Sequence, residues 1–129
     1  MNNTDKKKIL IVDDETDMVE METMRLKASG YEVAAAYDAH SGLKKAREWA
    51  PDLIILDVML PEMDGYQVCY ALKKDTKCHG IPIILVSAVD RKYDTDLGQK
   101  VGADFYFTKP FEPSALLEKV KELIKNHPK

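Results

Sequence analysis

Two cysteines, three histidines, one tryptophan and six glycines are all that this 129-residue chain holds of the residue types that usually mark disulfide staples, transition-metal centres or glycine-rich phosphate loops. Cys69 and Cys78 lie nine positions apart, outside CxxC and zinc spacings, and a single pair makes no disulfide framework. They read as one small core residue and one loop residue in a reducing compartment. His40, His79 and His127 are scattered, none beside a carboxylate or cysteine cluster, and read as surface residues. No apolar run approaches the ~20 residues of a membrane span. The run Ile9-Leu10-Ile11-Val12 meets Asp13, Asp14 and Glu15 at once. That is too short for the roughly 7–15-residue core of a secretory leader. A surplus of one charge is missing as well: 19 basic against 22 acidic side chains leave −3. Coating nucleic acid needs clustered positive charge, so no direct nucleic-acid contact is expected. Repeats and low-complexity tracts are absent. The expectation is one domain over residues 1–129, soluble, cytoplasmic and unattached to membrane.

Apolar residues at 45% suffice for a core, which argues against disorder over the whole length. Short apolar runs alternate with segments of helical period. The runs are Ile9–Val12, Val33–Ala36, Leu53–Leu56, Ile83–Val86 and Phe105–Phe107. Such continuous runs suggest strands buried on both faces, as in a parallel sheet, and their spacing suits βα units. Between Glu15 and Ser29, residues Met18, Met21, Met24 and Ala28 share one helical face, and Gly30 supplies the stop. Ala39 to Trp49 and Gly65 to Lys74 also read as helices. The last helix starts at Pro113 and carries a stripe of Leu116, Leu117, Val120, Leu123 and Ile124. The weakest runs from Lys92 to Val101, with Gly98 inside it and Leu97 and Val101 as anchors, and is expected to be the most mobile. Five strands alternating with five helices predict an α/β three-layer sandwich.

In such folds, ligands bind outside the carboxyl ends of the strands. The first run ends in Asp13-Asp14, the third in Asp57, the fourth in Ser87 and the fifth in Thr108-Lys109. Any one of these carboxylates alone reads equally well as a helix cap. Together, three carboxylates on one rim repel and need compensation, which a divalent cation and Lys109 can supply. Magnesium takes hard oxygen ligands and pairs carboxylates with phosphate. A metal, a nucleophilic carboxylate, an ammonium and a hydroxyl around one position suit a transferring phosphoryl group. Asp57 is then the acceptor, Ser87 a hydrogen-bonding partner, and the small Ala88 leaves room for approach.

Asp13-Asp14 after Ile-Leu-Ile-Val, Asp57 after Leu-Ile-Ile-Leu, Met63-Asp64-Gly65, Ser87-Ala88, Gly102-Ala103-Asp104 and Lys109-Pro110-Phe111 follow one another in that order. Together they resemble the receiver domain of two-component response regulators, of the chemotaxis-regulator type, from about Lys8 to Ile124. The resemblance implies a flavodoxin-like sheet of strand order 2-1-3-4-5. It also implies that Asp57 takes phosphate from a sensor histidine kinase or a histidine phosphotransfer protein. Asp13, Asp14, Asp57 and the backbone carbonyl of Met59 would hold Mg2+, and Lys109 would pair with the acceptor. Lys109-Pro110 would be a cis peptide, and Ser87 with Tyr106 would form the switch. Such a domain is not an enzyme, although it assists its own phosphorylation and dephosphorylation. The signal would leave through the face of the fourth helix, fifth strand and fifth helix, toward a protein partner or a second copy.

Ser87 stands where threonine is commoner in that family. Met59 and Val89, two residues beyond Asp57 and Ser87, cannot orient water by hydrogen bonding, which implies a persistent phosphoryl group. An FMN-binding flavodoxin relative would need a hydroxyl- and glycine-rich loop in place of Asp13-Asp14-Glu15-Thr16. A haloacid-dehalogenase-type hydrolase would need DxDxT after the first strand, and a phosphate-independent scaffold would need none of these acidic residues. The short tail after Ile124 favours a stand-alone regulator over a receiver cut from a longer protein.

Overall fold

The computed structural model describes residues 6–88 and 92–127, the side chains of residues 92–95 excepted. The chain runs β1 (Lys8–Val12), α1 (Thr16–Ala28), β2 (Glu32–Ala36), α2 (Ala39–Trp49), β3 (Leu53–Asp57), α3 (Gly65–Lys74), β4 (Ile83–Ser87), α4 (Lys92–Lys100), β5 (Phe105–Thr108) and α5 (Pro113–Asn126). The strands form one parallel sheet in the order β2-β1-β3-β4-β5, as expected. Registers are staggered so that β1, β3 and β4 end together, with Val12 beside Leu56 and Asp57 beside Val86.

Successive strand side chains point to opposite faces, so each run feeds two cores. Leu10, Val12, Ile54, Leu56, Ile83 and Leu85 join Ala39 and Ala46 of α2 and Val68 and Leu72 of α3, with Leu97 of α4 at the margin. Ile9, Ile11, Leu53, Ile55, Ile84 and Val86 meet Val19 and Leu26 of α1 and Leu116, Val120 and Leu123 of α5. Only β3 and β4 are buried along their whole length, with β1 nearly so. The expectation of burial on both faces fails for β2 and β5, because both are edge strands that helices cover less completely.

Chain stops and starts follow the local chemistry. Gly30 takes φ +98° beyond α1, and Pro113 opens α5. Gly98 belongs where it is: a β-carbon there would lie 3.3 Å from Leu85 and 3.4 Å from the Tyr106 ring, so its absence lets α4 sit close to the sheet. Cys69 and Cys78 are both free and buried, the second in a turn rather than an exposed loop. His127 departs from the surface reading. It is half-buried, with Nδ1 2.7 Å from the Leu123 carbonyl and Nε2 3.6 Å from the Asp104 carboxylate. Among the described residues, no helix is long and apolar enough to cross a membrane.

Helix α1 turns inward a different face from the one its methionines share. Its buried residues are Val19, Glu22 and Leu26, while Met21 and Met24 are exposed, the latter at 71%. Helical spacing tells which residues share a face but not which face meets the sheet. Here the inward face is one residue later than the methionine stripe. The rotation brings Val19 and Leu26 onto β1 and carries Glu22 inside with them, 3% exposed.

Burial pushes the Glu22 carboxyl up from 4.5 to about 7, with the Asp13 charge adding to the effect. A raised carboxyl binds its proton more tightly folded than unfolded. Its contribution is therefore fully present below pH 4.5 and is lost as pH rises through about 7. Glu22→Gln removes that loss. The stability advantage of this variant should be greater at about pH 8 than at about pH 5 by roughly 2–3 kcal/mol, as urea denaturation would measure. An advantage equal at both pH values would contradict the assignment.

Candidate functional site

The carboxyl ends of β1, β3, β4 and the turn after β5 bring Asp13, Asp57, Ser87 and Lys109 to one rim. Asp13 follows β1, its N–H donating to the Ala36 carbonyl of β2 at 3.1 Å. The chain then turns so that the Glu15 N–H donates to Asp13 Oδ1 at 2.9 Å. Asp57 repeats the device, its Oδ1 accepting the Met59 N–H at 3.0 Å. In each carboxylate one oxygen is thus fixed by a backbone amide two residues on, a local turn that aspartate favours. The second oxygen of each faces the same cation. Lys109 Nζ lies 3.4 Å from Asp13 Oδ2, 3.3 Å from Asp57 Oδ2 and 2.9 Å from Glu15 Oε1. Carboxylate oxygens of Asp13, Asp14 and Asp57 all fall within 4.8 Å of one another, with Asp14 exposed and the other two buried.

Lys109 reaches this point because β5 is tied to β4 at its end. The Lys109 N–H donates to the Ser87 carbonyl at 2.7 Å, and the following Lys109-Pro110 peptide is cis. Ser87 is wholly buried, beside Thr108 in the sheet register. Burial lowers the basicity of Lys109, but the Glu15 hydrogen bond and the charges of Asp57, Asp13 and Glu15 outweigh it and hold the ammonium above its ordinary value. Asp57 goes the other way. Burial pushes its carboxyl from 3.8 up to about 6, with the neighbouring Asp13 adding to it, against the lowering effects of the Met59 amide and Lys109. Asp13, Asp57 and Glu15 therefore share one ammonium in a partly desolvated pocket, with the exposed Asp14 beside them. A hard divalent cation fits this donor set, which is all oxygen and carries surplus negative charge.

The family profile of the response regulator receiver domain matches residues 9–121. This chain belongs to that family. Among curated relatives, it is 44% identical over 119 residues to the alkaline phosphatase synthesis transcriptional regulatory protein PhoP of Bacillus subtilis, covering 92% of this chain and 49% of that protein. To the DNA-binding response regulator MtrA of Mycobacterium tuberculosis it is 38% identical over 125 residues, covering 97% of this chain and 54% of the relative. The chain thus spans about half the length of the curated relatives it matches. The CheY-like receiver domain protein of Methanospirillum hungatei superposes with a TM-score of 0.89 at 34% identity, covering 95% of this chain and 96% of that one.

The receiver rim gathers Asp13, Asp14, Asp57 and Lys109 directly, with Ser87 on the adjoining strand end. Tyr106 does not join that cluster. It lies on the α4 side of β5, half-buried against the Gly98 position. The Met59 side chain is exposed, and Val89 lies outside the described residues. Sequence reading did not single out Glu15 or Glu22. Glu15 was visible only as part of an acidic run, and its pairing with Lys109 depends on a 94-residue separation in the chain.

Met63-Asp64-Gly65 gains a physical account. Asp64 caps α3 by accepting the Gln67 N–H at 2.9 Å, while the Gln67 side chain accepts the Asp64 N–H at 3.0 Å. The Gly65 N–H donates to the Val58 carbonyl at 2.8 Å. A β-carbon on Gly65 would run into the Asp57 carbonyl oxygen and lie 2.7 Å from Val58 Cα. This glycine lets a helix start press against the backbone that carries Asp57. Gly65→Ala should therefore displace the Asp57–Met59 turn, destabilise the fold by about 1–3 kcal/mol and weaken divalent-cation binding several-fold. Thermal melting and calorimetric cation titration read these two effects, and unchanged values in both would refute the packing role.

Proposed function

We propose that Asp57 accepts a phosphoryl group, and that the acidic pocket with Lys109 stabilises its transfer. The supporting observation is the shared ammonium. Two buried carboxylates, each fixed by a backbone amide, point their second oxygens at Lys109 Nζ within 3.4 Å. Asp13, Asp14, Asp57 and the Met59 backbone carbonyl would hold Mg2+, which when bound supplies a Lewis-acidic charge for the phosphoryl oxygens. An Asp57 carboxylate oxygen forms the new bond to phosphorus. The bond from phosphorus to the donor's histidine nitrogen breaks, and the histidine leaves with the bonding pair. Lys109 neutralises charge on the equatorial oxygens, and the Ser87 hydroxyl turns to donate to one of them. The site acts stoichiometrically on its own side chain, as a phosphoacceptor rather than a turnover enzyme.

The donor in this reading is a sensor histidine kinase or a histidine phosphotransfer protein, in the cytoplasm. Phosphorylation adds roughly −1.5 to −2 of charge at Asp57. The domain samples two states, and the added charge favours the one in which Ser87 and Tyr106 have moved. The exit face for the signal is that of α4, β5 and α5, where Tyr106 packs beside the Gly98 position. Phe105 is exposed on that face, with the Lys119 ammonium 4.2 Å from its ring centroid. A protein partner or a second copy fits it. The receiver's net charge of −3 gives no reason for it to touch nucleic acid itself.

Incubation with magnesium and a small phosphodonor should add one phosphoryl mass to the wild-type chain and none to Asp57→Ala. An adduct retained in Asp57→Ala would move the acceptor elsewhere. The exposed Met59 thioether beside Asp57 offers water no strong hydrogen bond, so the acyl phosphate should persist for minutes or longer. Loss of label from Asp57 within seconds would contradict this, whereas Met59→Asn should shorten the lifetime several-fold.

A further inference from the structure

Asp13, Asp57 and Glu22 are the carboxylates buried among the described residues. The first two each hold a backbone amide and face Lys109. Glu22 differs: its Oε1 is fully enclosed and has no hydrogen-bond partner among the described residues. It sits on the inward face of α1 between Val19 and Leu26, against the layer that contains Ile11, Ile55 and Leu116. Packing gives no reason for a carboxyl group there. A leucine would fill similar space without the cost of burying an unpaired polar group.

The charges that act on Glu22 come from the site. Asp13 after β1 and Asp57 at the end of β3 disfavour its ionised form, while Lys109 after β5 and Arg25 on its own helix favour it. From α5 the same layer receives Leu116, Val120 and Leu123, with Leu117 and Ile124 at its margin. Val19 and Leu26, which flank Glu22 on this face, pack in one layer with Ile11 and Ile55, two residues before Asp13 and Asp57, so Glu22 lies within the field of the acidic pocket. Burial is the largest cause of its retained proton, which it loses near pH 7.

We propose that Glu22 is a proton-carrying positioning residue of the acidic site, protonated while the pocket lacks a divalent cation and ionised when one enters. This rests on the reading of Asp13, Asp14 and Asp57 as cation ligands. The physical reason is charge balance. Two added positive charges favour a nearby carboxylate, so cation entry drives the Glu22 proton out to solvent. No bond between Glu22 and the cation is required. Linkage makes the coupling reciprocal, so ionised Glu22 strengthens cation binding by the same factor. Loading of the receiver then responds to pH across neutrality.

Calorimetric titration of MgCl2 into the full chain tests this, run without phosphodonor in two buffers of different ionisation enthalpy so that released protons are counted. At about pH 7, wild type should release a substantial fraction of a proton, and Glu22→Gln distinctly less. Between about pH 6.5 and pH 8.5 the wild-type affinity should rise roughly three- to tenfold, and the Glu22→Gln affinity should stay nearly flat. Glu22→Leu serves as a second variant, and the carbon-13 carboxyl resonance of Glu22 reports its ionisation directly, with and without MgCl2. Equal proton release and equal pH profiles in wild type and Glu22→Gln would overturn the Glu22 proposal while leaving the cation site standing. Absence of Mg2+ binding to wild type would overturn both.

Discussion

One ammonium group shared among acidic side chains is the interaction on which the rest of this receiver depends. Lys109 bridges Asp13, Glu15 and Asp57. Its own side chain is only 11% exposed, so the pairing takes place in a medium where charge is weakly screened. The arrangement does not close the account. Asp57 is still pushed up to about 6, because burial and the Asp13 charge outweigh what the Met59 amide and Lys109 give back. An unbalanced site of this kind suits a domain that takes up charged groups.

The fold serves that balance through strand ends. A parallel sheet puts all its carboxyl termini on one side, so residues far apart in the chain meet there. Backbone hydrogen bonds do the fine positioning. The amides of Glu15 and Met59 each fix one carboxylate oxygen, and the bond from Lys109 N–H to the Ser87 carbonyl sets the depth from which the ammonium reaches in. Gly65 adds a steric condition, since only a residue without a side chain lets α3 begin so close to the Asp57–Val58 backbone. Rigid main chain holds flexible charged groups in place, which is the economical way to pre-organise a site.

The strand runs, the helical segments and the acidic residues at strand ends were all legible, because burial on two faces leaves continuous apolar runs and the strand ends are marked by charge. Several features were not. The inward face of α1 was not decided, since Met18, Met21 and Met24 and the pair Val19 and Leu26 have equally good helical spacing. Edge exposure of β2 and β5 was missed because apolar composition alone does not tell edge from centre. Glu22 looked like any acidic helix residue, and His127 like any terminal histidine.

By itself the sequence determined the alternation of elements, the residue types at the strand termini and the surplus of acid over base among them. These are local properties, written in runs of a few residues. Only the tertiary structure decided which oxygen of each carboxylate faces Lys109, that Glu15 shares the same ammonium, and that Glu22 lies inside rather than on the surface. Those outcomes depend on the rotation of a helix and the stagger of strands, which are set by packing between segments distant in the chain. A carboxyl group at 3% exposure and one in open solvent are spelled with the same letter, and the sheet beneath α1 is what tells them apart.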